Sequence, residues 1–369
     1  MTIVMNITPL NAWISSEKKP FLIAGPCSAE SEAQMETIAS QLSEIKAVGI
    51  LRAGIWKPRT RPGDFEGVGE KGLPWLVNAA KKYGYKSAAE VANASHVEKA
   101  LSAGVDILWV GARTTVNPFS VQEIADALKG KDIPVLVKNP VNPDIGLWMG
   151  AIERLNRAGI TKLAAVHRGF SPVEKTPFRN EPMWEIAIDL KRKLPELPII
   201  CDPSHIGGDR ALIESVSQKA LDLDMQGLMI ETHPDPDKAW TDAKQQVSPK
   251  QLKSILDNLV IRVPQSDDPT FKTVLEELRQ EIDLMDEKLL RVLAERMKLV
   301  EKIGDYKKDN DITILQVARW NEIVETRTAY AKNLQLNKDF TQKLLEIIHS
   351  ESIRKQNAIM NDFNEPSKA

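Results

Sequence analysis

The stretch that decides the fold covers residues 198–246 and reads PIICDPSHIGGDRALIESVSQKALDLDMQGLMIETHPDPDKAWTDAKQQ. Two short apolar runs in it, residues 198–201 and 227–230, predict buried parallel strands, and a helix-length segment separates them. Each run is followed by residues of types that carry chemistry: Asp202, Ser204 and His205, then Glu231 and His233. Because functional residues of α/β proteins collect at the carboxyl ends of strands, the stretch predicts a metal or acid–base site.

The same alternation of strand and helix repeats from residue 20 to about residue 259. Apolar runs typical of buried strands cover residues 21–25, 50–56, 86–91, 105–111, 134–137, 162–166, 197–201 and 227–230. Helical spacing is found between them, at residues 35–47, 73–83, 145–158 and 210–219, and after them at 249–259. Eight such units match a (β/α)8 barrel, which takes about 250 residues. An open doubly wound sheet is the competing fold, but no Gly-x-Gly-x-x-Gly turn directly follows any of these runs.

A barrel of this kind brings the carboxyl ends of its strands to one mouth. Several predicted strands end in cations: Arg52 with Lys57 and Arg59, then Arg113, Lys138 and Arg168. Residues of types that can bind a metal follow strands that are neighbours in the closed barrel: Asp202, His205, Glu231 and Cys27. Cations gathered in a water-poor mouth repel one another unless an anion neutralises them. The pattern therefore predicts a polyanionic substrate with phosphate and carboxylate groups, which Arg binds bidentately.

The ligand types at this mouth also predict a metal ion. A set of Cys, His, Glu and Asp mixes soft and hard ligands, which suits Mn, Fe, Co or Zn better than Mg or Ca. Cys27 directly follows Gly-Pro at a strand end, whereas Cys201 lies inside its apolar run and is expected in the core. The loop at residues 57–72, KPRTRPGDFEGVGEKG, is suited to presenting backbone N–H groups to a phosphate.

The composition is that of an ordinary globular protein. The chain has 369 residues, 42% hydrophobic and 27% charged, which fits one or two domains. A formal net charge of −2 gives no electrostatic reason to expect nucleic acid or a membrane as partner. No apolar run approaches bilayer length, and the first residues lack a leader pattern. Both cysteines lie in apolar runs, so a reduced, cytoplasmic protein is expected.

The last hundred residues follow a different pattern. We predict a barrel domain at residues 1–262, a linker at 263–270 and an all-helical domain at 271–369, with helices at 271–308, 315–332 and 338–360. The first helix carries an apolar heptad seam at positions 275, 278, 282, 285, 289, 292, 299 and 303, with Arg296 where an apolar residue is expected. Three helices of this size hardly close a core alone, which predicts a homodimer that shares the long helix.

The motifs GPCS, RAGIWKPRT, GAR, VKNP, HRGF, DPSH and IETHPDP, followed by TDAKQQ, resemble those of 3-deoxy-D-arabino-heptulosonate 7-phosphate (DAHP) synthases over residues 20–262. The resemblance implies condensation of phosphoenolpyruvate with erythrose 4-phosphate, the first step of the shikimate pathway. It implies a divalent metal ion, Mn²⁺ in the first place with Fe²⁺, Co²⁺ or Zn²⁺ as alternatives, held by Cys27, His205, Glu231 and Asp242. One departure is Ala89 before Glu90, where such enzymes often have Thr.

The same resemblance assigns the substrate contacts. Phosphoenolpyruvate would meet Arg52, Lys57, Arg113, Lys138 and Arg168. The phosphate of erythrose 4-phosphate would bind Arg59 and Thr60, and Lys57 would protonate the developing alkoxide. The competing interpretation is another synthase that condenses phosphoenolpyruvate with a sugar, such as octulosonate 8-phosphate synthase; the KPRT loop argues against it.

The helical region resembles the all-helical chorismate mutases. The resemblance implies the rearrangement of chorismate to prephenate, with Arg296, Lys307 and Gln356 in catalytic roles and Arg279, Arg319 and Ser352 binding substrate. Such a reaction needs no metal, because cations hold the carboxylates and stabilise charge on the ether oxygen. Where many relatives carry Asp and Glu around the second-helix Arg, this chain has Gln316 and Trp320.

The alternative is that the helical region only regulates or dimerises the chain. As a mutase it is also the expected feedback sensor, since prephenate bound at the Arg296–Lys307 face would inhibit condensation.

Overall fold

The computed structural model describes residues 5–14, 20–58, 63–172, 174–263 and 265–361. The chain divides into two compact units, residues 1–264 and 265–369. The predicted sites Arg59 and Thr60 lie outside the described residues. Each unit is described by itself below.

The first unit is built on a closed barrel of parallel strands, as the alternating pattern predicts. Each strand pairs with the next, and the last pairs with the first. In the described residues the strands are β1 (Phe21–Gly25), β2 (Val48–Ala53), β3 (Lys86–Val91), β4 (Ile107–Val110), β5 (Val135–Lys138), β6 (Leu163–His167), β7 (Ile199–Cys201) and β8 (Gly227–Glu231).

Helices surround the barrel. Its α-helices are α1 (Glu32–Leu42), α2 (Gly72–Tyr83), α3 (Ala94–Ser102), α4 (Ala112–Thr115), α5 (Pro118–Ala127), α6 (Ile145–Arg157), α7 (Trp184–Lys193), α8 (Pro203–Gly207), α9 (Ile213–Asp222) and α10 (Pro249–Asn258). Short 3₁₀ helices cover Leu10–Ala12, Gly69–Lys71, Arg210–Leu212, Pro236–Lys238 and Ala243–Gln245.

Apart from β3 and the strand ends, the strands are largely apolar because both of their faces are buried. One buried cluster fills the barrel interior and includes Ile23, Ile50, Trp109, Leu136 and Met229. A second cluster lies between the strands and the helices and takes the alternate positions, such as Leu22, Leu51 and Leu108. This alternation follows from the two-residue period of a strand, and it leaves the strand ends free to carry the polar residues of the mouth.

Several boundaries differ from the prediction, each for a local reason. The run 50–56 overshoots β2, since Ile55 is fully buried in the following loop. The run 105–111 overshoots β4 at both ends, and α1 begins three residues early, where the Ser31 side chain accepts a hydrogen bond from Gln34 N. The segment 210–219 is split between a 3₁₀ helix and α9.

The second unit consists, in its described part, of α11 (Pro269–Asp309), α12 (Val317–Asn333) and α13 (Lys338–Asn361). Asp268 caps α11 by accepting a hydrogen bond from Thr270 N at 2.8 Å, so the helix begins slightly before the predicted end of the linker. The seam residues of α11 are largely exposed in the single chain, with Ile282 at 59% and Val292 at 61%. The homodimer that would cover them stays a prediction. No helix among the described residues combines the length and apolar character needed to cross a membrane.

Candidate functional site

Three of the four predicted metal ligands come together at the barrel mouth. Cys27 follows the end of β1, Glu231 ends β8, and Asp242 lies in the loop after β8. The Cys27 sulfur and one carboxylate oxygen each of Glu231 and Asp242 lie within 4.8 Å of one another. Asp242 adopts a left-handed backbone conformation with φ 49°, an uncommon geometry for a residue other than glycine and one that recurs at functional sites.

The fourth predicted ligand, His205, lies beside this group without belonging to it. Its Nε2 is 3.8 Å from Glu231 Oε1, and its Nδ1 is 2.9 Å from Asp202 Oδ2. A carboxylate on one ring nitrogen fixes the orientation and tautomer of a histidine and leaves the other nitrogen for a metal. His205 lies on α8, the short helix that follows β7, and the Asp202 side chain caps that helix by accepting a hydrogen bond from His205 N at 3.1 Å.

The donor set fits a divalent transition metal. A thiol and two carboxylates are crowded into one largely buried site, and burial together with Glu231 raises the pKa of the Cys27 thiol to about 12. A divalent cation would relieve this crowding, and its binding would release the thiol proton. Lys57 Nζ, 2.9 Å from Cys27 Sγ, is a cation already in contact with the thiol.

Two buried ion pairs extend the site across the barrel. Arg52 Nη1 lies 3.1 Å from Glu231 Oε1, and Lys138 Nζ lies 2.7 Å from Asp202 Oδ2. Both cations face the ring of Trp109, at 4.8 Å and 5.8 Å from its centroid. Pairing makes these buried charges tolerable, and the aromatic face below them adds a cation–π contribution.

A cavity of about 440 Å³ opens beside these groups. Its lining includes Lys57, Arg113, Lys138, Arg168, His205 and Asp242. Arg168 Nη1 donates to Asn180 Oδ1 at 2.7 Å, and Arg113 Nη1 donates to the Pro58 carbonyl at 3.3 Å. Burial, with Arg179 and Arg113 nearby, lowers the pKa of Arg168 to about 10. Arg113 and Arg168 are thus bonded to neutral oxygens, and the basic residues of the lining outnumber its acids Asp64, Glu90 and Asp242, which suits an anionic ligand.

Sequence reasoning missed several residues that hold the site together. Arg179 Nη1 lies 3.1 Å from Asp242 Oδ1, and Gln245 Nε2 donates to Glu231 Oε2 at 2.7 Å. Gln246 Oε1 accepts the hydrogen bond of Cys27 N at 3.0 Å. The two glutamines end the TDAKQQ motif, so the sequence signalled them. Arg179 lies well beyond the end of β6, and no local pattern marks it.

The second unit brings together four of its six predicted site residues. Arg296 Nη1 donates to Ser352 Oγ at 2.7 Å, and Lys307 Nζ donates to the Ile314 carbonyl at 2.5 Å. Gln356 is buried, and its Nε2 is 3.3 Å from the Ser352 carbonyl. Burial, and then the nearby Arg296 and Lys307, lower the pKa of His349 on α13. Arg296, Lys307 and the polar face of α13 therefore form one cationic site.

For the other two predicted residues, the described part of the chain shows no contact with this site. Arg279 precedes Arg296 by seventeen residues, about 25 Å along α11, and its nearest carboxylate is Glu276 at 4.0 Å. Arg319 is 2.8 Å from Glu322, and both are more than half exposed. Trp320, beside Arg319, stacks on His349 with ring centroids 4.0 Å apart.

Comparison with known proteins agrees with this division. Residues 5–261 match the DAHP synthetase I family, and residues 278–357 match chorismate mutase type II. The phospho-2-dehydro-3-deoxyheptonate aldolase of Thermotoga maritima is 35% identical over 238 residues, covering 64% of this chain and 68% of that protein. The 2-dehydro-3-deoxyphosphooctonate aldolase of Desulfotalea psychrophila is 29% identical over 271 residues, covering 67% and 91%.

A solved structure supports the fold. The crystal structure of the DAHP synthase from Thermotoga maritima superposes with a TM-score of 0.59 at 34% identity, over 64% of this chain and 67% of that chain. The family match covers more than half of the chain and coincides with the barrel that carries the metal-type cluster. The chain therefore belongs to the DAHP synthetase I family and carries a chorismate mutase type II domain after its barrel, the architecture of a bifunctional enzyme.

Proposed function

We propose that the barrel condenses phosphoenolpyruvate with erythrose 4-phosphate to give DAHP and phosphate. This proposal rests on one observation, which is that a cluster suited to a metal cation lies beside a cavity suited to anions. The thiol–carboxylate cluster suits a divalent cation, and the cavity beside it concentrates cations that suit a phosphate and a carboxylate.

Different residues of the barrel mouth would hold the metal ion and each of the two substrates. A divalent ion held by Cys27, Glu231, Asp242 and His205 would supply Lewis-acid chemistry at the aldehyde. Arg113, Lys138 and Arg168 would hold phosphoenolpyruvate, while Arg59 and Thr60 would take the phosphate of erythrose 4-phosphate.

The bonding changes balance with one water molecule. The methylene carbon of phosphoenolpyruvate forms a bond to the aldehyde carbon, water adds to the neighbouring carbon, and inorganic phosphate leaves. Lys57 would protonate the alkoxide that develops from the aldehyde oxygen, a role supported by its position at the cluster. Fixed cations would hold the two anionic substrates in reacting geometry, an entropic advantage of up to about 7–11 kcal/mol.

The runner-up activity uses a longer sugar phosphate. The octulosonate aldolase relatives raise this possibility, and such an activity would use the same phosphoenolpyruvate site. The heptonate aldolase of Thermotoga maritima is more similar to this chain, at 35% against 29% identity. Purified enzyme loaded with Mn²⁺ should consume phosphoenolpyruvate with erythrose 4-phosphate and not with arabinose 5-phosphate. The reverse preference would overturn the assignment.

The metal has its own test. Cys27→Ala and chelation should each abolish condensation and leave chorismate rearrangement intact, because the mutase chemistry needs no metal. Cys201→Ala is the matched control, since that buried thiol packs in the apolar cluster outside the barrel interior. Verified metal-free enzyme that still condenses at the normal rate would refute the site. Adding back Mn²⁺, Fe²⁺, Co²⁺ and Zn²⁺ in turn would rank the metals, and we propose Mn²⁺ as the first.

We propose further that the second unit rearranges chorismate to prephenate as a homodimer. Arg296 and Lys307 would hold the carboxylates and the ether oxygen, with Ser352 and Gln356 completing the site. Arg279 is too distant to serve the same chain's site, so it would reach the partner subunit's site along the shared α11. The exposed apolar seam supports the dimer, since it would be covered by a second copy.

Mixing tests the shared site. Arg279→Ala and Arg296→Ala proteins should each be inactive as mutases, and their mixture should regain part of the activity, because one of the two sites in a mixed dimer keeps both arginines. A mixture that exchanges subunits and stays inactive would refute sharing. A monomeric but active protein would refute the dimer.

We also propose that the second unit senses prephenate and thereby regulates condensation. We propose that the enzyme works in the cytoplasm, where free thiols such as Cys27 and Cys201 persist. Prephenate should inhibit condensation by intact enzyme, and Arg296→Ala should abolish that inhibition. By linkage, the barrel's substrates should weaken prephenate binding by the same factor. Equal inhibition of residues 1–262 alone would show that the sensor lies in the barrel.

A further inference from the structure

Two buried polar atoms on α13 have no hydrogen-bond partner among the described residues. They are Nε2 of His349 and Oε1 of Gln356. Seven residues separate them, so they lie on one helix face about two turns apart. Ser352, between them, receives the hydrogen bond of Arg296. Buried polar atoms are nearly always paired, so two unpaired ones beside a cationic site indicate positions that a ligand fills.

The ring of His349 is fixed in place. It stacks on Trp320 of α12 with centroids 4.0 Å apart and an angle of 15° between the planes. Burial and the two cations Arg296 and Lys307 lower its pKa, so the imidazole is neutral at physiological pH. A neutral imidazole adds no charge to the site, but it offers a nitrogen that donates or accepts one hydrogen bond.

The cations and the imidazole suit different groups of one ligand. Arginine and lysine bind carboxylates through charge, and Arg296 and Lys307 are available for them. A neutral nitrogen gains little from a carboxylate when a guanidinium is nearby, but it pairs well with a hydroxyl group, which both donates and accepts. Chorismate carries two carboxylates, an ether oxygen and one free hydroxyl group.

We propose that His349 Nε2 binds the free hydroxyl group of chorismate and is the residue that makes the site specific for hydroxylated substrate. The inference rests on the proposed mutase function. Trp320 is a positioning residue, because its ring stacks on the imidazole and fixes the orientation of the buried Nε2.

The test compares chorismate with an analogue that lacks the hydroxyl group. Wild-type enzyme should prefer chorismate in kcat/KM on the order of tenfold or more, because the analogue leaves the buried nitrogen unpaired. His349→Leu should lose most of this preference by slowing chorismate and sparing the analogue. His349→Gln, which keeps a polar group near the Nε2 position, should retain most of the preference. Circular dichroism checks that each variant keeps its helical content.

A matched control exists in the barrel. His96 stacks on Trp56 with the same 4.0 Å separation and an angle of 5°, so His96→Leu removes an equivalent stacked histidine from the other unit. It should leave the preference for chorismate unchanged. An unchanged preference in folded His349→Leu would overturn the assignment of His349 alone. Failure of wild-type enzyme to rearrange either compound would instead overturn the proposed mutase function.

Discussion

Asp202 connects a proposed metal ligand with a buried cation at the barrel mouth. Its carboxylate is fully buried and contacts Lys138 Nζ at 2.7 Å and His205 Nδ1 at 2.9 Å. Burial opposes its ionisation, yet His205 and Lys138 hold the pKa of Asp202 well below its ordinary value. Asp202→Asn keeps the shape and the helix cap but removes the charge.

Two losses follow from that change. Lys138 would be left as a buried cation without its carboxylate, and breaking a buried pair on one side costs about 3–5 kcal/mol of unfolding free energy. His205 would lose the carboxylate that orients its ring, and such a loss lowers metal affinity or activity by about 10–100-fold. We therefore expect Asp202→Asn to be both less stable and weaker in metal binding.

The stability term also has a defined dependence on pH. Because the folded pKa of Asp202 is depressed, its stabilisation is complete above the ordinary pKa of aspartate, about 3.9, and is lost as the pH falls through the folded value. The difference in unfolding free energy between wild type and Asp202→Asn should therefore be constant near neutrality and shrink below about pH 4.

Metal titration of the chelated protein and thermal denaturation at several pH values measure these effects. Asp144→Asn is the matched control, since Asp144 likewise caps a helix, α6, through Leu147 N but belongs to neither of the two buried ion pairs. If Asp202→Asn binds metal and unfolds like this control, the assignment of His205 as a ligand oriented by Asp202 is wrong.

Three further changes have definite outcomes. Gly111→Ala would place a Cβ 2.2 Å from Glu90 Oε1, and moving that side chain would break the hydrogen bond that its Oε2 accepts from Trp109 Nε1 at 2.8 Å; we therefore expect about 1 kcal/mol of destabilisation in thermal denaturation, and an unshifted transition would contradict this. Lys57→Met should lower condensation about 10²-fold or more while leaving chorismate rearrangement unchanged, and a normal condensation rate would remove Lys57 as the acid. Arg296→Ala should lower rearrangement about 10²-fold with helical content retained, and an unchanged rate would favour a purely regulatory or dimerising unit.

The fold was predictable because barrel strands are buried on both faces and leave uninterrupted apolar runs. Their exact ends were not, since Ile55 continues such a run in a loop and a buried loop residue has the same composition as a strand residue. The helices of the second unit were predictable from their apolar period. Which face of α11 packs within the chain was not predictable, because the exposed seam of α11 has the same apolar pattern as a buried helix face.

The site was predictable to the extent that it follows strand ends. Cys27 and Glu231 are placed by that rule, and the structure brings them together. Asp242 is eleven residues beyond β8, so the strand-end rule does not place it, and its role as a metal ligand came from the resemblance to DAHP synthases. Arg179 reaches Asp242 through a contact between two loops, and no sequence period records a contact of that kind.

The three helices of the second unit differ in length, and this difference limits how they can pack on one another. At 1.5 Å per residue, the 41 residues of α11 span about 60 Å, whereas the 24 residues of α13 span about 36 Å. Neither shorter helix alone can line the long one from end to end. Since α13 packs against its second half, where Val300 and Gly304 are buried, and α12 packs against α13, the first half projects past its neighbours in the described part of the chain. Substitutions in that projecting half should therefore alter how copies assemble more than how firmly one copy folds.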